Sequence, residues 1–239
     1  VLETFKDVAE ISIGGCDGAC FAAPRAVSVT QPDSQINQMI WELNETQFKS
    51  EDSLKRAVDG FFSGQFRLTM KDIGILPWDD LGQFIGTGGF RGFAKALDMS
   101  PEDVITVVSS SSLRGRGGAY FPVGLKWESA ARFSDMGKKT QLIINAEEGE
   151  PGVFKDRHLM EGLPYRVIEG ALIAAWAVAA EEVYLYVNAE ANLSYERLNY
   201  ALKKCLEHGI VGNNVLGTNF NVKVSLHRGA GGYVCGEES

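Results

Sequence analysis

Between residues 141 and 227 the sequence alternates strand-like and helix-like hydrophobic periods, which constrains the fold more than any single motif. Gln141–Ala146 (Q-L-I-I-N-A) is a short apolar run bounded by polar residues and too short for a helix. It predicts a buried strand. Pro164–Ala180 reads as a long helix that passes from amphipathic to apolar. Val183–Val187 (V-Y-L-Y-V) predicts a second strand. Ala191–His208 predicts a second helix, with Leu193, Leu198, Leu202 and Leu206 on its apolar side. Asn221–His227 turns Val222, Val224 and Leu226 inward as a third strand. Strand–helix–strand–helix–strand is the pattern of right-handed parallel crossovers, so the expected class is α/β. The ligand crevice of such a sheet lies beyond the carboxyl ends of its strands.

Those ends carry unusual chemistry. The first strand runs into Asn145-Ala146-Glu147-Glu148-Gly149-Glu150-Pro151-Gly152. The third runs through His227, Arg228 and a run of glycines into Tyr233, Cys235, Gly236, Glu237 and Glu238. Carboxylates crowded into one turn repel each other. They suit a site that accepts hydrogen bonds from ribose, ribityl or ring N–H groups; the alternative is a solvated acidic loop feeding a helix N-terminus.

Ahead of the sheet lies Leu113–Trp127, L-R-G-R-G-G-A-Y-F-P-V-G-L-K-W. Gly115, Gly117, Gly118 and Gly124 permit left-handed backbone and close approach of a ligand. Successive exposed N–H groups in such a turn form an anion-binding nest, and Arg114, Arg116 and Lys126 add positive charge. Phe121 and Trp127 offer flat apolar surface, and Pro122 stiffens the exit. A cofactor with a phosphate at one end and a ring at the other fits this set. The spacing is neither G-x-G-x-x-G nor a P-loop, and an ordinary Gly-rich surface loop is the alternative reading.

The chain has 239 residues, enough for one large or two small domains. A net charge of −8 argues against a nucleic-acid partner. The most apolar run, Ala171–Ala180, is too short to span a bilayer, so direct membrane insertion is not expected. The mixed, polar opening residues predict no signal peptide, and four cysteines without one point to a cytoplasmic protein.

Near the amino terminus, Glu10–Val29 reads as a strand, a Gly-rich turn carrying Cys16 and Cys20, and a second strand. Cys-x₃-Cys on one tight loop suits gripping the edge of an iron–sulfur cluster, but a [2Fe–2S] cluster held by thiolates needs four. Two reduced loop cysteines are the alternative. Thr30–Phe66 is polar and expected to be a connection leading into helix, with Ser53–Phe62 at helical spacing. Pro77–Ala96 reads helical with a break at Gly86–Gly89. Ser100-Pro101-Glu102-Asp103 is a helix start: cap serine, proline at the first position, then acids.

Three motifs in order, L-R-G-R-G-G-A-x-F-P-x-G-x-K-W, N-A-x-E-x-E-P-G and G-A-G-x-Y-x-C-G-E-E, resemble the family of flavin-bearing, NADH-oxidising subunits of respiratory complex I. The same module occurs in NAD-linked hydrogenases and formate dehydrogenases. The resemblance spans roughly Gly74 to Ser239. Cys16, Cys20 and Pro24 resemble the second half of a thioredoxin-like [2Fe–2S] ferredoxin domain. The implied layout is the end of that domain over 1–30, a helical linker over 31–72, and a Rossmann-like, FMN- and NADH-binding parallel-sheet domain over 73–239.

The resemblance implies FMN held by Gly115, Gly117 and Gly118 beside Arg116, with Lys126 near the phosphate or ribityl chain. It implies flavin contacts from Asn145, Glu147, Glu148, Gly236, Glu237 and Glu238. Phe121 is expected to stack toward NADH, Glu150 to lie near the nicotinamide face, and Tyr233 to line the same pocket. Cys16 and Cys20 are expected to bind a [2Fe–2S] cluster only together with two upstream cysteines. The family continues past the last turn into a part that bears a [4Fe–4S] cluster, which implies a longer parent protein and iron–sulfur electron-transfer subunits as partners in a hetero-oligomeric complex. Two departures stand out: Tyr120 replaces the usual glycine, and Glu147 the usual aspartate. They leave open a diverged scaffold of the same fold that has lost flavin or nucleotide.

Overall fold

The computed structural model describes residues 25–30, 37–43, 48–50, 59–135, 137 and 139–232, the first three segments as backbone only. The chain divides into two compact units, Val1–Ile75 and Leu76–Ser239.

In the first unit, β1 (Arg25–Thr30) pairs antiparallel with β2 (Asn37–Leu43), from Arg25 opposite Glu42 to Thr30 opposite Asn37. β2 pairs antiparallel with β3 (Phe48–Ser50). β1 takes the place of the strand expected after the cysteine turn. β2 and β3 correct the expectation of a plain connection over Thr30–Phe66. Ile40 and Trp41 are strand-favouring residues that the polar sequence around them hides, and an antiparallel partner needs only a short link. Residues 59–63 are helical, the last part of the helix expected over Ser53–Phe62; residues 51–58 lie outside the described set.

The second unit begins with short helices whose ends follow local signals. Asp80 caps α1 (Leu81–Gly86) by accepting from the Gln83 N–H at 2.8 Å. α2 (Arg91–Leu97) has no local side-chain cap, because Phe90 precedes it at φ +58. Its first N–H groups instead donate to Glu169 Oε1, Gly92 at 3.1 Å and Phe93 at 3.3 Å. Ser100 caps α3 (Pro101–Ser110) as expected, its Oγ accepting from Asp103 N–H at 3.1 Å. α4 covers Val123–Asp135.

β4 (Thr140–Ala146), β5 (Ala180–Val187) and β6 (Lys223–Arg228) form a parallel sheet in that order. Ala146 lies level with Val187, and Val187 with Arg228, so all three strands end together. α5 (Lys155–Gly162) and α6 (Pro164–Ala177) cross from β4 to β5, and α7 (Asn192–Glu207) from β5 to β6. Pro164 occupies the first turn of α6, where a missing N–H costs nothing. The core joins Ile168, Leu172 and Ala175 of α6 to Val183 and Leu185 of β5 and to Ala201 and Cys205 of α7. Burial pushes the Cys205 thiol up to about 12.

One expectation fails on β4. Leu142 and Ile144 pack on the core, but Gln141, Ile143 and Asn145 are exposed, Ile143 at 62%. The strand is half-buried rather than buried. Both crossovers place their helices on one face, and an apolar run cannot reveal which face is covered.

Candidate cofactor site

The glycine stretch is not one loop but a closed loop feeding a helix. Gly115 N–H donates to Phe121 O and Val123 N–H to Leu113 O, both at 2.9 Å, pinning the two sides together. Arg114 and Pro122 lie opposite one another in an antiparallel bridge. Arg114 Nη1 donates to Tyr120 O at 3.2 Å, so this guanidinium braces the loop's own tip. Arg116, Gly117, Gly118 and Ala119 stand exposed at that tip, with Gly118 at φ +112. Gly117 has nothing within 4 Å of its would-be Cβ and needs no left-handed angle.

Past Pro122 the chain is helical, which relocates three residues. Lys126 lies in the first turn of α4 and is exposed. Trp127 packs partly buried against the core and is not the open flat surface expected of it. Gly124 is a buried helix position rather than part of a nest. Phe121 keeps its expected exposure, at 55%.

Tyr120 has φ +52. That is the conformation glycine adopts freely and a bulky residue adopts at a cost of roughly 1–2 kcal/mol. Its ring is 65% exposed, so it points away from the loop's interior.

The acidic turn after β4 is internally organised. Asn145 Oδ1 accepts from Glu147 N–H at 3.1 Å. Glu147 Oε1 accepts from Asn188 Nδ2 at 2.7 Å, tying the end of β4 to the end of β5. Glu148 Oε1 accepts from Asp156 N–H at 2.9 Å and Oε2 from Arg157 N–H at 3.0 Å. Both Glu148 oxygens therefore hold the amino terminus of α5, whose own cap position, Phe154, supplies no side chain. Glu148 is half-buried and feeds the amino terminus of this helix. Glu150 is exposed in the same turn, and Gly152 completes it at φ +82. Arg157 Nε pairs with the buried Glu161 at 3.1 Å.

At the end of β6, Gly229 N–H donates to Val187 O at 2.8 Å. A Cβ there would stand 3.2 Å from the Tyr186 hydroxyl, so the glycine lets the chain leaving β6 pass close to the end of β5. Tyr186 and Asn188 are the residues that pattern reading missed. They sit at the middle strand's end, where the sequence shows no glycine or acidic cluster to draw attention. Tyr233, Cys235, Gly236, Glu237 and Glu238, together with Cys16 and Cys20, lie outside the described residues.

Residues 108–239 match the family model of the Nuo51 FMN-binding domain, over more than half of the chain. The chain belongs to that family. It is 44% identical over 153 residues to an NADH-quinone oxidoreductase component of Rhizobium meliloti (strain 1021), covering 64% of this chain and 36% of the relative. It is 37% identical over 175 residues to the HndC component of an NADP-reducing hydrogenase of Solidesulfovibrio fructosivorans, covering 73% of this chain and 35% of the relative. The chain thus spans about a third of the length of these relatives. An NAD+-reducing [NiFe]-hydrogenase in its H2-reduced state has a chain of like fold, with TM-score 0.56 and 23% identity, covering 84% of this chain and 35% of that one. The part of the chain that matches the Nuo51 family model holds both the glycine loop and the parallel sheet that follows it. Among its described residues no helix is long and apolar enough to cross a membrane.

Proposed function

We propose that this chain is the FMN-bearing part of an NADH-oxidising module that passes electrons singly to iron–sulfur partners. The observation that carries the reading is that one family match, 108–239, takes in the glycine loop, the acidic turn and the last turn together. The residues present suit FMN. The loop tip offers N–H groups and Arg116 with no Cβ at two consecutive positions, which suits a phosphate. Asn145 and Glu147 offer acceptors for hydroxyl and ring N–H groups at the strand ends, where ligands of α/β sheets bind.

In this reading Gly115, Gly117, Gly118 and Arg116 hold the phosphate, and Lys126 reaches the phosphate or ribityl chain from the first turn of α4. Asn145 and Glu147 contact the flavin; Glu148 holds the turn that presents them. Gly236, Glu237, Glu238 and Tyr233 complete the site from the last turn. Phe121 lies against the nicotinamide and Glu150 at the nucleotide's rim. Bound FMN supplies a two-electron hydride acceptor that releases electrons singly. The protein's work is orientation and exclusion of water. Cys16 and Cys20 contribute to a [2Fe–2S] cluster with two further cysteines, and a [4Fe–4S] cluster lies in the remainder of the longer protein. The parent complex is of hydrogenase, formate dehydrogenase or complex I type, and is cytoplasmic.

Absorption of the purified intact protein tests this. Flavin bands that bleach on adding NADH are expected. A protein that holds no flavin, or holds FMN that neither NADH nor NADPH reduces, would make the chain the diverged scaffold instead.

A further inference from the structure

The Glu147–Asn188 hydrogen bond joins two loops of no evident sequence relation, and its surroundings leave it one orientation. Asn188 Oδ1 accepts from Glu190 N–H at 2.8 Å. That bond fixes the carbonyl side of the amide, so its NH₂ group must face Glu147 Oε1, 2.7 Å away. The Asn188 backbone is itself tied down: its N–H donates to Ala146 O at 3.3 Å, and its carbonyl accepts from Ala191 N–H at 3.2 Å. On the other side stands Gly149. A Cβ there would meet Glu147 Oε1 at 2.8 Å and Oε2 at 3.0 Å. The carboxylate lies between a locked amide and a bare Cα.

We propose that Asn188 is a positioning residue for the flavin site, holding the Glu147 carboxylate where a hydroxyl or ring N–H of the cofactor meets it. The inference rests on the FMN reading above. Glutamate in place of aspartate gives one more methylene, and that length lets a residue at the end of β4 reach an amide at the end of β5. Asn188 holds Oε1, and Oε2 lies 3.0 Å from where a Cβ of Gly149 would stand. Gly149 is the matching space. Glu147, Asn188 and Gly149 thus form one device, in which the departure at Glu147 is an altered support rather than a lost contact.

The test is FMN binding to the intact protein after flavin removal, read by quenching of flavin fluorescence. Glu147→Ala is expected to weaken FMN about tenfold or more, the range for a hydrogen bond to a charged group. Asn188→Ala is expected to weaken it about tenfold in the natural protein, but less than about twofold in the Glu147→Ala background. An equal loss in both backgrounds would mean that Asn188 merely shapes its own turn, and would overturn the proposal while leaving the FMN reading intact. Should Asn188→Ala fail to fold, Gly149→Ala replaces it. Gly149 is not in the left-handed region, and the three atoms nearest the added methyl all belong to the Glu147 carboxylate, the far end of a side chain rather than backbone. That variant should keep its unfolding midpoint and lose FMN affinity only when Glu147 is present. Unchanged affinity would overturn the proposal. Failure of the natural protein to bind FMN would overturn the underlying reading as well.

Discussion

Gly124 of α4 rests on Ser109 of α3 so closely that a Cβ on Gly124 would stand 2.7 Å from Ser109 Cα and 2.8 Å from its Cβ. A glycine that looks from its neighbours like part of a ligand loop is therefore the point where two helices touch. Against it, Trp127 and Ala131 of α4 pack on the cluster formed by Ala96, Val104, Ile105 and Ala177. Gly124→Ala should force the helices apart and destabilise the protein by about 1–3 kcal/mol, the usual cost of overpacking. Urea unfolding reads this directly. Ser109→Ala should not rescue it, because the collision includes Ser109 Cα; full rescue would place the contact elsewhere.

What the sequence revealed and what it hid divides by the range of the interaction. Ser100-Pro101 and Pro164 announce their helices because cap and first turn are neighbours in sequence. The strands of the parallel sheet were legible as apolar runs with β-branched and aromatic residues. The cap of α2 comes from Glu169, far along the chain, so no local pattern could show it. Gly124 and Trp127 misled because a helix–helix contact and a ligand loop both call for glycine beside aromatic residues. Asn188 was invisible for another reason: its significance is a bond across the sheet end to Glu147, and an asparagine after a strand is ordinary by itself.

Glu148 supplies the second prediction. Its carboxylate accepts two backbone N–H groups at the start of α5, where the helix dipole also favours negative charge. Glu148→Ala should cost about 1–2 kcal/mol, as for loss of a helix cap, seen as a lower unfolding midpoint. Glu148→Gln keeps an acceptor oxygen and should cost less. If Glu148→Ala instead weakened FMN with no change in stability, the carboxylate would belong to the cofactor and not to the helix.

The glycine loop separates two requirements that a motif merges. Gly118, at φ +112, needs the backbone freedom of glycine, whereas Gly117 has an ordinary angle and open space around it. Gly118→Ala should strain the loop itself, lowering stability and FMN affinity together. Gly117→Val should leave the unfolding midpoint nearly unchanged and act only on FMN retention, by blocking approach of the phosphate. Parallel fluorescence titrations and thermal melts of the two variants distinguish these effects. Full FMN occupancy in both variants would remove the loop from the site.

Tyr120 tests whether the loop is a working nucleotide site. Its backbone is left-handed, and its carbonyl is held by Arg114 at 3.2 Å, so the loop has kept the geometry of a glycine at this position. Tyr120→Gly relieves a strain of roughly 1–2 kcal/mol. It also gives the unfolded chain more freedom, which offsets about 0.5–1 kcal/mol of that gain. The net change in stability should be small and favourable, whereas Tyr120→Ala removes the ring, keeps the strain and should show no such gain. Because the ring is 65% exposed, its loss should open little new space beside Phe121. Burial of part of one ring is worth about 1–2 kcal/mol at most, so reduction of a one-electron dye by NADH should change by no more than about thirtyfold. Dye-reduction assays of the intact protein and Tyr120→Gly, with FMN content measured in both, give the answer. If the natural protein holds FMN but is inert, and Tyr120→Gly raises the rate by orders of magnitude, Tyr120 closes the nucleotide slot and the NADH-oxidising reading fails.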